Sequence, residues 1–360
     1  MVNTVGVAKE IKTHESRVAL TPEGAKQLVD AGVSVFVEEN AGADIHLTDQ
    51  MYEQAGASIC SAETAWAQNL VLKVKEPQPS EYGYFREDLV LFTYLHLAAY
   101  PQVAKALCDA KTTGIAYETV TVNGGLPLLA PMSEVAGKLS AQAAARFLEK
   151  PQGGRGVLLS GATGVDNAKV MVLGAGHVGL NAALIASGMG ADVQLFDINE
   201  EKLAALDEEY PGKFETVLST PESISKYIVN ADAVIGGVLV PGGRAPIVVT
   251  KEMVSTMKPG SVIVDTAIDQ GGCVETSHET THAEPTYVID DVVHYAVGNM
   301  PGAVPYTSAY ALTNATLPFV IELATRELDD AIENVEGLRD GVNTRDGEIV
   351  NATVKAAVQS

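Results

Sequence analysis

Lys169-Val-Met-Val-Leu-Gly-Ala-Gly-His-Val-Gly179, with Asp197 standing 18 residues after Gly179, is the stretch whose reading decides the fold. Val170–Leu173 is an apolar run, and glycines stand at 174, 176 and 179. A buried strand that runs into such a turn and then into a helix is a dinucleotide-binding arrangement. Gly174 permits the tight turn, Gly176 lets the backbone approach a pyrophosphate, and Gly179 lets the helix pack closely on the strand. Ala175, His177 and Val178 complete the segment, whose helix-terminal amides and dipole face the phosphates. Asp197 closes the next apolar run, Val193–Asp197, where a carboxylate accepts the hydroxyls of an adenosine ribose and repels a 2′-phosphate. NAD is therefore expected rather than NADP. Val170–Ala191 carries no formal charge and is long enough to span a bilayer, but its five glycines, His177 and Asn181 fit strand, turn and helix instead.

At 360 residues the chain is too long for one ordinary core, which predicts two domains. A formal net charge of −22 repels nucleic acid phosphates and anionic lipid, so neither is expected as a partner. Cys60, Cys108 and Cys273 are scattered without metal-ligand spacing, which predicts reduced thiols and no metal. Met1–Lys12 reads as a strand followed by charged residues rather than a secretory signal, and a cytoplasmic protein is expected.

The first third alternates apolar runs with helical stretches: Thr4–Ala8, then Pro22–Ala31 opened by Thr21-Pro22 and stopped by Gly32, then Val33–Val37. This βαβ rhythm predicts a mostly parallel sheet. Leu70–Val74, Leu89–Leu95 and Thr113–Ala116 each run into polar residues, namely Lys75, His96 and the pair Tyr117-Glu118. Ligands of open parallel sheets bind beyond the carboxyl ends of the strands, so Lys75 and His96 stand where a substrate is expected. Ser133–Leu148 reads as a long helix, and Gln152–Gly156 as a linker or hinge. A second strand set follows at Lys169, Val193–Phe196, Ala233–Ile235, Ser261–Asp265 and Thr286–Ile289. Thr307–Leu328 is expected to be a helix that returns to the first domain, followed by a polar tail. The predicted fold is α/β, with two Rossmann-like domains of mostly parallel sheets and a cleft between them. Residues 1–128 with 306–360 form the substrate domain, and 129–305 the nucleotide domain.

An NAD site implies hydride transfer, so the first domain should hold a small substrate and manage its proton. The planar fork of Arg17 suits a carboxylate, against the plainer reading of a surface arginine. Lys75, in a strand where two lysines alternate, needs a partner that a substrate carboxylate or carbonyl supplies, unless it pairs with Glu76 or reaches solvent. His96 caps a buried strand and has the side chain suited to acid–base work near neutrality. Asp269 follows a strand of the nucleotide domain and is expected to orient His96 or a water. Capping of the Gly271-Gly272 turn is its competing role.

Taken together, these segments resemble the bacterial alanine dehydrogenases of the alanine dehydrogenase/pyridine nucleotide transhydrogenase family, over nearly the whole chain. The marks are Glu15–Pro22, Leu72–Pro77, Phe92–Ala98, Pro127–Gly137, Ala267–Cys273, Asn299–Pro301 and Tyr310–Thr316. The resemblance implies reversible oxidative deamination of L-alanine to pyruvate and ammonium. Arg17 and Lys75 would hold the substrate, His96 would be the acid–base group, and Asp269 would support it. It also implies cofactor contacts at Ser133, Gly174–Gly179, Asp197, Lys202, Ser219, Leu239, Ile268 and Asn299, and a homo-hexamer. The chain departs from the pattern at Gly42-Ala-Asp-Ile-His46, where relatives have a glycine-serine-glycine turn, and at Tyr306, where a basic residue is expected. The alternatives are transhydrogenase-like transfer between nicotinamides, a saccharopine dehydrogenase with a longer substrate, and a non-catalytic NAD-binding module.

Overall fold

The computed structural model describes residues 3–238 and 245–359, so Leu239 lies outside the described residues. In chain order the strands are β1 Thr4–Val7, β2 Ser34–Glu38, β3 Ser58–Cys60, β4 Leu70–Leu72, β5 Val90–Thr93, β6 Thr113–Ala116, β7 Lys169–Leu173 and β8 Asp192–Asp197. They continue with β9 Glu215–Leu218, β10 Ala233–Gly236, β11 Val262–Asp265, β12 Thr286–Ile289, β13 Val292–Tyr295, β14 Val342–Arg345 and β15 Glu348–Ile349. The chain divides into two compact units, Met1–Met132 with Val304–Ser360, and Ser133–Ala303.

The first unit holds an eight-stranded sheet in the order β15-β14-β6-β5-β4-β1-β2-β3. Strands β1 to β6 pair parallel, and every residue of β4, β5 and β6 is buried, as expected of strands covered on both faces. β1 and β4 are neighbours although β2 and β3 separate them in the chain. The sheet therefore reverses its winding between them, which is where such sheets bind ligands. The helix Pro22–Asp30 begins as its sequence dictates: the Thr21 hydroxyl accepts from Gly24 N at 3.2 Å and Pro22 fills the first turn.

The long helix Pro305–Thr325 packs into this unit. Its Leu312, Leu317, Val320 and Leu323 share a core with Val5, Val35, Leu70 and Phe92, and Thr313 Oγ1 donates to Ala19 O at 3.4 Å. The expected polar tail is instead structured. Helices Leu328–Asn334, Leu338–Gly341 and Ala352–Gln359 frame β14 and β15, and β14 joins β6 antiparallel across a register shift. Hydropathy hides this strand because its polar groups are satisfied internally: buried Thr344 Oγ1 accepts from Gly114 N and donates to Thr112 O, both at 3.1 Å.

The second unit holds seven strands in the order β12-β13-β11-β10-β7-β8-β9, with all neighbours parallel except β12 and β13. From β9 to β13 this is the doubly wound dinucleotide order, its reversal lying between β7 and β10. Thr286–Ile289 is a strand as expected, but an antiparallel edge strand. A two-residue hairpin through Asp290 and Asp291, φ +51° and +60°, returns the chain into β13, which takes the parallel position beside β11. Gln152–Gly156 is no linker between the units. It lies inside the second unit, where Gly156 N donates to Leu148 O and Arg155 N to Gly260 O, both at 2.8 Å. A β-carbon at Gly154 would fall 2.2 Å from Phe147 O, so this glycine marks close packing rather than freedom. The uncharged Val170–Ala191 resolves into β7, the glycine turn and the helix His177–Gly188. No helix among the described residues is long and apolar enough to cross a membrane.

Candidate active site

In the second unit, β7 ends at Leu173 and the chain turns at Gly174, whose φ of +90° a side chain would strain. A β-carbon at Gly179 would lie 1.7 Å from Gly174 O, which fixes why no other residue fits the first turn of the helix. At Gly176, the residue preceding the helix, a β-carbon would meet nothing within 4 Å. Room therefore stands above the turn, in front of helix-terminal amides, as a pyrophosphate requires. Asp197 ends β8. Its carboxylate accepts from Ala175 N at 2.8 Å, Asn199 N at 3.0 Å and Lys202 Nζ at 3.2 Å. Partial burial would raise its pKa, but those amides and the Lys202 ammonium outweigh it and hold the carboxyl below its ordinary range. The group is thus an anion at neutral pH, suited to accept ribose hydroxyls. Ser219 N donates to Asp197 O at 2.8 Å, which carries the ladder of β8 and β9 to the same edge.

Other expected residues of this unit take separate places. Ser133 lies in the first turns of the helix Ala130–Phe147. Ile268 and Asp269 form a short 3-10 turn after β11, with Ile268 buried and Asp269 exposed. The capping role offered as a rival for Asp269 belongs to buried Asp265, whose carboxylate accepts from Ala267 N at 3.1 Å, Cys273 N at 3.0 Å and Val274 N at 3.1 Å. Asp269 instead lies against the backbone of Gly298, its Oδ1 3.2 Å from where a β-carbon would stand. The following Asn299 is left-handed, φ +59°, and its carbonyl meets His282 Nε2 at 3.2 Å.

In the first unit, the segment after β1 crosses the ends of β4 and β5 and brings Arg17, Lys75 and His96 to one place. Arg17 is buried rather than on the surface. Its Nε and Nη2 donate to Glu15 at 2.6 and 2.5 Å, and its Nη1 to Met132 Sδ at 3.1 Å. Lys73 and Lys75 divide their labour. Buried Lys73 pairs with Glu10 at 3.2 Å and Glu81 at 2.9 Å, with the Trp66 ring 5.9 Å away. Burial alone would lower its pKa, but the two carboxylates overcome this and keep it charged. Glu10 in turn accepts from Val74 N at 2.6 Å and Lys75 N at 3.3 Å, so the Lys73 cluster fixes the backbone that carries Lys75. Glu76, the alternative partner for Lys75, pairs with Lys12 at 2.5 Å.

His96 stands three residues past β5, its ring parallel to that of Tyr94 with centroids 5.7 Å apart. Burial, followed by the charges of Lys75, Lys12 and Arg17, holds its pKa well below the ordinary histidine value. The imidazole is consequently neutral at pH 7 and can accept a proton, among cations that attract a carboxylate. Residues that sequence reasoning did not assign to the site are Glu10, Lys12, Glu15 and Glu118. Glu10 and Glu118 are acids just beyond β1 and β6, the same strand-end position that singled out Lys75 and His96.

Of the two departures, Gly42–His46 makes a 3-10 turn, Ala43–Ile45, closed by left-handed His46. Tyr306 opens the long helix and lies 4.8 Å from the Tyr310 ring, centroid to centroid.

Sheet order, glycine turn and strand-end acid define the second unit as a doubly wound dinucleotide-binding domain, and the first as an α/β domain with a cationic, histidine-bearing site. The family model for the alanine dehydrogenase/PNT N-terminal domain matches residues 6–136, and that for the alanine dehydrogenase/PNT C-terminal domain matches 140–352. The chain belongs to this family. It is 52% identical over 352 residues to the alanine dehydrogenase of Bacillus subtilis (strain 168), covering 97% of this chain and 93% of that one. A solved L-alanine dehydrogenase superimposes with a TM-score of 0.95 at 50% identity, covering 99% of each chain. A transhydrogenase from Sinorhizobium meliloti gives 0.82 at 27% identity, covering 97% of this chain and 99% of that one.

Proposed function

We propose that this protein is an NAD-dependent L-alanine dehydrogenase that converts L-alanine reversibly to pyruvate and ammonium. The observation that carries the reading is a neutral His96 held among Arg17, Lys75 and Lys12, in a chain about half identical to alanine dehydrogenases throughout its length. NAD, when bound, supplies the acceptor for the hydride on Cα of the substrate. The residues that would hold it are Gly174, Ala175, Gly176, His177, Val178 and Gly179 through the turn, and Asp197 at the ribose. Ser133, Lys202, Ser219, Leu239, Ile268 and Asn299 complete the contacts that the family resemblance implies.

Arg17 and Lys75 bind the alanine carboxylate, and in the reverse direction Lys75 polarises the carbonyl of pyruvate. Only the unprotonated amine can donate electron density as hydride leaves, giving an iminium. Neutral His96 takes a proton from water as the water oxygen adds to the iminium carbon. The imidazolium returns that proton to the nitrogen; neutral His96 then takes the hydroxyl proton as the carbonyl forms and ammonia leaves, and ammonia with that proton is released as ammonium. The family resemblance implies that Asp269 supports the proton transfer of His96. A cytoplasmic homo-hexamer belongs to the same reading, and a light-scattering mass tests the assembly.

The deciding experiment mixes the protein with NAD and L-alanine and follows nicotinamide absorbance between pH 6 and 10, beside His96→Ala. His96→Ala should lose at least about 100-fold in kcat, the lower end for general acid–base catalysis. The wild-type rate should rise above neutrality as the amine loses its proton. A flat profile, or an undiminished His96→Ala, refutes the assignment; no reduction with alanine but transfer between two nicotinamides turns it to a transhydrogenase.

A further inference from the structure

His96 carries a β-carbon yet sits in the left-handed region, φ +47°. That conformation is strained for an L-residue and persists only where its surroundings over-determine it. The determining contacts come from the next strand. Thr93 of β5 is in register with Ala116 of β6, so Glu118, two residues beyond β6, comes level with Leu95 and His96. Its Oε1 accepts from His96 N at 2.6 Å and Leu95 N at 3.2 Å, and its Oε2 from Leu95 N at 3.3 Å. Two successive amides thus converge on one carboxylate. On the far side, the His96 carbonyl accepts from Ala99 N at 2.9 Å and Tyr100 N at 3.0 Å, leading into the helix Pro101–Asp109.

We infer that Glu118 is the positioning residue of this site: its carboxylate clamps the Leu95 and His96 amides, holds His96 left-handed, and so aims the imidazole among Lys75, Lys12 and Arg17. The other two substrate-side residues are treated alike. Glu10 holds the amide of Lys75, and Glu15 that of Arg17 at 3.1 Å. Each side chain that does chemistry is therefore anchored at its own backbone by a carboxylate from elsewhere in the unit or two residues away. Burial pushes the Glu118 carboxyl up, while its own amide, those of His96 and Leu95, and the Lys75 charge pull it back. The bonds that fix His96 thus also oppose that rise, although the carboxyl stays above its ordinary range. Glu118 reaches the His96 backbone rather than reacting atoms, so its effect is on placement.

The activity readout rests on the dehydrogenase reading; a second readout does not. Glu118→Ala and Glu118→Gln are compared with wild type for kcat and KM with L-alanine and NAD, for melting temperature, and for the NMR titration of His96 in ligand-free protein, assigned by its loss in His96→Ala. Glu118→Ala should lose about 100-fold in kcat, the effect of a misplacement near 1 Å. KM for L-alanine should stay within about threefold, because Arg17 and Lys75 still bind the carboxylate. The His96 titration should move up toward the ordinary histidine value as the ring leaves the cations. Glu118→Gln keeps a carbonyl acceptor and should recover to within about tenfold of wild type. An Ala variant that folds with kcat within about threefold of wild type, or with the His96 titration unmoved, overturns the inference. Should the Ala variant not fold, Glu118→Asp, whose carboxylate stops one methylene short of the two amides, takes its place, an unmoved titration together with kcat within about threefold of wild type overturning the inference. A wild type inactive with L-alanine sinks the dehydrogenase reading, and the titration still decides this one.

Discussion

Replacing Lys73 by Met removes the cation that bridges Glu10 and Glu81, three side chains that are each no more than about 5% exposed. The methionine fills the stem volume but leaves two buried carboxylates facing each other. Removing one partner of a buried ion pair costs about 3–5 kcal/mol, because the uncompensated charge remains. For a domain of 150–250 residues each kcal/mol moves the melting point by about 2–4 °C, so Lys73→Met should melt about 6–20 °C below wild type at pH 7. The pH dependence has a definite sign. The folded-state pKa of Glu10 is already raised by burial against the Lys73 charge, and losing that charge raises it further. A carboxyl whose folded pKa exceeds its unfolded value binds more protons when folded, so the deficit of Lys73→Met is fully present at neutral pH and shrinks as pH falls into the carboxylate range. The triple variant with Glu10→Gln and Glu81→Gln should recover much of the loss. Calorimetry of wild type, single and triple variants at pH 7 and pH 5 reads all three effects. A melting point within about 2 °C of wild type at pH 7, well under the penalty of a stranded buried charge, would refute the reasoning, as would a deficit that widens on acidification.

Further outcomes follow from other sites. Gly179→Ala places a β-carbon 1.7 Å from Gly174 O, so Kd for NAD should rise by at least about tenfold, the equivalent of about 1.4 kcal/mol, and binding isotherms check it. Asp197→Ser removes the charge that repels a 2′-phosphate and should raise the NADP-to-NAD ratio of kcat/KM by about tenfold or more, measured by initial rates with each cofactor. In kcat/KM for deamination, the acid limb due to His96 should lie below the ordinary histidine pKa, because burial and three cations favour the neutral ring; a limb at or above that value counts against the geometry. Thr344→Val strands Gly114 N and should cost about 1–3 kcal/mol, readable by urea unfolding.

The nucleotide-binding unit was legible because its constraints are local. Gly174 and Gly179 meet steric demands within a single turn, Gly176 leaves open space before the helix, and Asp197 ends the adjacent strand, so order along the chain equals order in space. Lys75 and His96 were legible for a related reason: parallel strands place whatever follows them at one edge. The last strands were not, since Asn343 and Thr344 read as polar tail until their partners 224 to 232 residues away are known. Nor was Gln152–Gly156, whose glycines signal flexibility in sequence and close backbone packing in the fold.

The sequence by itself determined the two α/β units, the dinucleotide turn and the strand-end placement of Lys75 and His96, because periodicity, glycine sterics and strand-end polarity are properties of neighbouring residues. Tertiary structure alone decided that Lys73 is enclosed by Glu10 and Glu81 while Lys75 stands near His96, that Asp265 rather than Asp269 caps its turn, and that Glu118 binds the His96 amide. Those roles depend on burial and on partners brought from distant segments. A charge becomes structural or chemical only according to what faces it once water is removed.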